Sequence, residues 1–189
     1  MAISITARTG EEVFTLAQAK AYIVLATGFT ADDTMVSELL EEAIGILEER
    51  GKVILQGATV YNKRYGWSVS GWEYVDFGTQ ALNTISSITY TDTDGDPQTL
   101  AATEYYLDTT RTQPRLVYLD YANLPECKDG TVVTINMTAG YATAAEVPTG
   151  WRHILRRMVS EYYEHRTDSP AEKYTICDKI IDLYRMPTI

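Results

Sequence analysis

Apolar positions along this chain change their period twice. In "TLAQAKAYIVLAT", Leu16, Ala19, Ile23 and Ala26 recur at three- and four-residue steps, which puts them on one helical face. Thr15 with Gln18 three residues on gives a capping box ahead of that helix, and Gly28 is its expected stop. A second helix is expected from about Thr30 to Asp33, where acidic side chains suit the positive end of a helix dipole. Met35, Leu39, Ala43 and Leu47 form its stripe, with Val36, Leu40 and Ile44 beside it, and Gly51 marks its end.

From about residue 53 the period shortens. "VILQGATVYNKRYGWSVSGWEYVDF" is rich in β-branched and aromatic residues broken by glycine, and "ISSITYTD", "EYYLD", "PRLVYLD" and "TVVTINMTAGY" follow as short strands. Helical spacing returns at "VPTGWRHILRRMVSEYYEHR". There Trp151, Ile154, Leu155, Met158, Val159, Tyr162 and Tyr163 share a face, and Pro148 can open the helix without losing a hydrogen bond. Ser169, Pro170 and Glu172 start a last helix, which carries Tyr174, Cys177, Ile181 and Tyr184 on one side.

Strands grouped between helices argue for α+β rather than α/β. The expected fold is mostly helical, with two N-terminal and two C-terminal helices around a central antiparallel β-subdomain of hairpins. The expected organisation is one domain over 1–189: N-terminal helices over 1–52, the β-rich part over 53–141, and C-terminal helices with a tail over 147–189.

Charge narrows the function. The 189 residues carry a net charge of −10, which argues against a phosphate-binding surface, since that needs clustered Lys and Arg. The start "MAISITARTG" has neither a charged n-region nor an apolar h-region, so no secretory signal is expected, and no apolar run is long enough to span a bilayer. Two cysteines, Cys127 and Cys177, make no disulfide framework and fit a reducing compartment. Fourteen tyrosines suit half-buried sheets and protein interfaces alike.

Candidate chemistry dissolves on inspection. In "YTDTDGDPQTL" the aspartates Asp92, Asp94 and Asp96 resemble the first positions of a calcium loop. Pro97 and Thr103, however, stand where glycine and a bidentate glutamate are required, and the flanks read as strand. Asp94-Gly95 is instead a hairpin turn signal. "GWSVSG" misses the nucleophile-elbow pattern at Ser70. His153 and His165 lie beside arginines with no carboxylate to orient them, and the Cys and His residues lack zinc-ligand spacing. The basic run Arg152, Arg156 and Arg157, continued by Glu161 and Glu164, reads either as a solvated helix face or as a docking face for an acidic partner. No cofactor site emerges.

The ordered set of segments resembles the head–tail connector (adaptor) proteins of tailed bacteriophages. The opening "LAQAKAYIVLATGFTADDTMVSELLEEAIGILEER" matches that family through Lys20, Asp32, Asp33, Ile44 and Glu48. "SSITYTDTDGDPQTL", "YYLD" and "PRLVYL" resemble its central hairpins. "AGYATAAEVPTGWRHILRRMVSEYYEHR" matches through Gly140, Tyr141, Val147, Pro148, Tyr163 and Arg166. The segment 57–80 and the tail beyond Tyr184 match little.

The resemblance implies a non-enzymatic virion protein at the neck, assembled in the host cytoplasm as a homo-oligomeric ring of twelvefold symmetry under the portal protein. Such a ring extends the DNA channel, with genomic DNA as passing cargo, and presents a surface to a downstream neck or tail-completion protein; no membrane is involved. The portal-facing element is expected in the last helix and tail, at Ile180, Ile181, Tyr184, Arg185, Met186, Pro187 and Ile189. The subunit-packing helix is expected to use Trp151, Arg152, Arg156, Tyr163 and Arg166. Two alternatives are another neck component, such as a stopper or tail-completion protein, and a small metal-dependent hydrolase.

Overall fold

The computed structural model describes residues 3–26, 28–67 and 73–165, together with 179, 181 and 182. The chain divides into two compact units, one of residues 1–10 and 56–140, the other of 11–55 and 141–189.

The first unit is built on strands. β1 (Ser4–Arg8), β2 (Ala58–Tyr65), β4 (Leu82–Thr91), β5 (Pro97–Thr99) and β8 (Val132–Ala139) make an antiparallel sheet in the order β1-β2-β8-β4-β5. β8 sits at its centre, with Val60 facing Met137 on one side and Ile88 facing Ile135 on the other. Alternation sets the buried face: Val133, Ile135, Met137 and Ala139 point inward from β8, and Ala58, Val60, Asn62 and Arg64 from β2. A second antiparallel sheet joins β3 (Tyr74–Asp76), β7 (Arg115–Tyr118) and β6 (Tyr105–Asp108) in that order. Its buried side carries Val75, Leu116, Tyr105 and Tyr118.

Gly140 follows β8 at φ 83°, with its Cα so close to the backbone that a Cβ would lie 2.3 Å from the Gln56 carbonyl oxygen. Only glycine fits there. The same corner is fixed by Thr9 and Gly10, whose N–H groups both donate to the Gly57 carbonyl, and by Gln56 Nε2, which donates to the Gly10 carbonyl at 2.8 Å.

The second unit holds three helices that are described along a continuous range: α1 (Leu16–Tyr22), α2 (Asp33–Gly51) and α3 (Thr149–Glu164). Thr15 and Gln18 close the expected capping box on α1. Val36, Leu40, Ala43 and Leu47 of α2 are buried, as are Trp151, Ile154, Leu155, Met158 and Val159 of α3. These two stripes supply most of this unit's core.

The expectation of a mostly helical chain with four helices is corrected. Among the described residues helix and strand are nearly balanced, at 32% and 31%, because eight strands in two sheets take up the middle of the chain and part of its start. Nor is the β-part a row of hairpins: β8 pairs with β2 and β4, both distant in sequence. The last helix is represented by Lys179, Ile181 and Asp182, which are helical; Ser169, Pro170, Glu172, Tyr174, Cys177 and Tyr184 lie outside the described residues.

The Gly28 stop is also corrected, whereas α2 does end at Gly51 as expected. α1 ends at Tyr22 with Ile23 as C-cap, well before Gly28. α2 includes Gly51 and is capped by Lys52 in the left-handed region, at φ 51°. Gly51 is small for a different reason: a Cβ there would lie 2.7 Å from Cη2 of Trp151.

Candidate interaction site

The residues shared with the connector resemblance hold one another in the helical unit. Lys20 is only 6% exposed, although it is a lysine on a seven-residue helix. Its Nζ donates to the Phe29 carbonyl and reaches Asp33 Oδ1 at 2.5 Å, so the buried ammonium is paired on two sides. Tyr163, near the end of α3, donates its phenol to Asp32 Oδ2 at 2.7 Å, across 131 residues of sequence. Glu48 Oε1 accepts from the Leu55 N–H at 2.9 Å, fixing the exit of α2. These polar residues are structural pins.

Between the start of α1, the loop before α3 and α3 itself lies a cavity of about 220 Å³, lined by Val13, Phe14, Gln18, Ala144, Ala145, Arg152, Leu155 and Arg156. Its loop wall is fastened twice: Ala142 accepts from the Glu11 N–H through its carbonyl, and its own N–H donates to Glu146 Oε2 at 3.0 Å. The Arg156 guanidinium lies 5.6 Å from the Phe14 ring centroid, a cation–π contact that aims it along the wall. Arg152 Nε is buried with no hydrogen-bond partner, and its Nη2 reaches Thr149 Oγ1 only at 3.5 Å. Two guanidiniums above an apolar floor make this a cationic recess of the helical unit.

The expected packing residues therefore separate. Arg152 and Arg156 meet at the cavity, Trp151 is buried against Gly51, and Tyr163 is tied to Asp32. Arg166 lies outside the described residues, as do Ile180, Tyr184, Arg185, Met186, Pro187 and Ile189 of the expected portal-facing element. Ile181 is described and is buried, 2% exposed.

In the β-unit the aspartate cluster is a hairpin turn. Asp92 Oδ1 accepts from the N–H groups of Asp94, Gly95 and Asp96, and Thr91 pairs with Pro97 across the β4–β5 ladder. The side-chain hydrogen bond from Gln98, followed by these backbone donors, holds the Asp92 carboxyl below its ordinary range. Among the described residues no group of three or more His, Cys, Asp or Glu is arranged to hold a metal ion, and no helix is long and apolar enough to cross a membrane. His153 and His165 are exposed on α3 and at its C-cap.

The aromatic segment at 57–80, which the sequence leaves unassigned, has a structural role where it is described. Trp67 packs edge-on against Tyr90 and Tyr118, at ring-centroid distances of 5.0 and 6.0 Å, and its Nε1 donates to the Pro125 carbonyl at 2.7 Å. Burial lowers the Arg64 guanidinium from its ordinary value and pushes the Tyr118 phenol up.

No protein-family model matches this chain, and no curated protein matches it. Solved structures do. Its fold is similar to a chain from the neck of an empty GTA particle computed with C6 symmetry, with a TM-score of 0.83 and 22% identity over 100% of this chain and 97% of that one. A chain from the virion of a native gene transfer agent (GTA) particle matches over the same shares at a TM-score of 0.81 and 23% identity. A chain from the neck of a native GTA particle computed with C12 symmetry follows at 0.78 and 20%.

Proposed function

We propose that this chain is a structural protein of the neck of a tailed-phage-like particle, acting as a head–tail connector (adaptor). It would form a ring under the portal vertex, extend the DNA channel, and offer the docking surface for the next neck or tail protein. The observation that carries the reading is the fold shared over the whole chain with neck chains of GTA particles. The symmetry of those particles supports a ring of twelve or six copies, in which each subunit must offer two different faces to its neighbours. The role in this reading is structural rather than catalytic.

Within this reading, the tail around Tyr184, Arg185, Met186, Pro187 and Ile189 is the portal-facing element, a short apolar peg for a partner's groove. Ile181, being buried, serves instead to anchor the segment that leads into it.

Co-purification with the portal protein of the same genome, imaged by negative-stain electron microscopy, tests the function. An added ring below the portal is the expected result. Free portals beside a well-folded, unbound chain would overturn the adaptor role in favour of a stopper or tail-completion position further along the neck. Removing residues 184–189 should abolish portal binding and leave the fold intact; unchanged binding rejects the tail assignment.

A further inference from the structure

We propose that the Arg152–Arg156 cavity is a socket for a carboxylate side chain from a second copy of this chain, supplied by the acidic face of α2. The inference rests on the ring reading above and adds the residues that would join neighbouring subunits.

The socket has the chemistry of a carboxylate site. A buried guanidinium nitrogen without an acceptor leaves a desolvation cost unmet, larger for a charged donor than for a neutral one. Arg152 and Arg156 lie one helical turn apart on α3, so both guanidiniums can reach one carboxylate, and the planar fork of arginine suits a two-oxygen acceptor. The cavity of about 220 Å³ exceeds the roughly 30 Å³ share of one water several times. Its floor of Val13, Phe14 and Leu155 suits the methylenes of a glutamate stem. Phe14 also fixes Arg156 in place beforehand, which lowers the ordering cost of binding.

The complementary surface lies on the same unit. Val36, Leu40, Ala43 and Leu47 bury one side of α2, which turns Glu38, Glu41, Glu42 and Glu49 to the other side, all exposed. Gly45 sits among them with nothing within 4 Å of a would-be Cβ, so this acidic face is open. One subunit thus presents a cationic recess on α3 and a row of glutamates on α2. That is a heterologous, head-to-tail pair of surfaces, which propagates into a ring when the rotation closes. Opposite charge on the two surfaces also sets their register.

The test uses full-length protein, with self-association read by sedimentation velocity across a salt series and rings on isolated portals counted in parallel. Wild type should self-associate, more weakly as salt rises. Arg156→Glu, and separately Glu41→Lys with Glu42→Lys, should each weaken association by about tenfold or more, as expected for losing a close interfacial charge pair. A chain carrying all three reversals should regain it. Arg157→Glu, on the same helix but outside the cavity, should change little. Because Arg152 is partly buried, its reversal is replaced by Arg152→Gln, checked by thermal melting. Association that ignores these changes, or that responds equally to Arg157→Glu, overturns the socket, as does a wild type that neither self-associates nor forms rings. Rings on the portal that tolerate every reversal overturn the socket alone. Salt-sensitive oligomers that obey the swap but never join a portal overturn the adaptor reading alone.

Discussion

Tyr118 closes a loop around Trp67: its phenol donates to the Trp67 carbonyl at 3.1 Å, while its own N–H donates to the Glu73 carbonyl at 2.8 Å. One residue of β7 therefore holds both flanks of the 68–72 segment, and its ring packs against Trp67 as well. Tyr118→Phe keeps the ring and the backbone bond and removes only the phenol. The expected loss is about 1 kcal/mol, the net worth of a typical hydrogen bond, with a shift in tryptophan emission. Urea unfolding followed by fluorescence measures both.

The same phenol contributes to the loss of stability at alkaline pH. Burial raises the folded-state value of Tyr118, first by desolvation, so the unfolded chain gives up this proton more readily. A raised folded-state value means a contribution fully present below the unfolded pKa of about 10 and lost as pH climbs from there through the folded value. Melting temperature should fall above about pH 10, and Tyr118→Phe should flatten that fall. An equally steep fall in the variant would assign it to other groups.

Gly51→Ala pits two effects against each other. Alanine in a helix gains about 1 kcal/mol over glycine, but the new methyl would lie 2.7 Å from the rigid Trp151 ring. Overpacking of that kind costs about 1–3 kcal/mol, so the net change is destabilising. Calorimetry should show a lower melting temperature; a rise would mean that Trp151 has room to move.

Lys20→Met should be among the costliest single changes. It removes the partner of Asp33 and the donor to the Phe29 carbonyl. Breaking a buried pair typically costs about 3–5 kcal/mol, and the lower end applies because the Asp33 side chain is 33% exposed and water can take over part of the loss. Adding Asp33→Asn should recover part of it, as a chemical-denaturation cycle would report.

The Asp92 turn gives a two-sided test of its own. Its lowered carboxyl contributes stability above the unfolded aspartate pKa of about 3.9, which is lost as pH falls through the folded value. Asp92→Ala should loosen the β4–β5 hairpin and remove that acid dependence. Millimolar calcium should leave the melting temperature of wild type unchanged; a marked rise would revive the metal-loop alternative.

What the sequence reveals depends on whether the signal is local. The α3 stripe from Trp151 to Val159 and the alternation of β8 were legible because each element buries a regular face. β1 was not: four of its five residues are exposed, and it becomes a strand only by pairing with β2. Gly51 was legible as the end of α2 but not as a close approach, because Trp151, which demands it, lies far along the chain. Lys20 stood out through the family resemblance, but its burial depends on Phe29 and Asp33 folding back over it. The cavity was invisible for the same reason: Phe14, Ala144 and Arg152 come from three segments, and no spacing rule joins them.

The chain order also imposes a timetable on synthesis. Strand β1 leaves the ribosome early, yet its sheet is completed only when β8 supplies the central strand, and Asp32 waits 131 residues for Tyr163. Contacts that span such separations close late and slowly. Until then α2 has an uncovered apolar stripe and β2 an unpaired edge, both of which invite association with other nascent chains. The same connectivity that secures the finished protein thus makes its translation a period of exposure, brief only if elongation is fast or a chaperone stands in for α3.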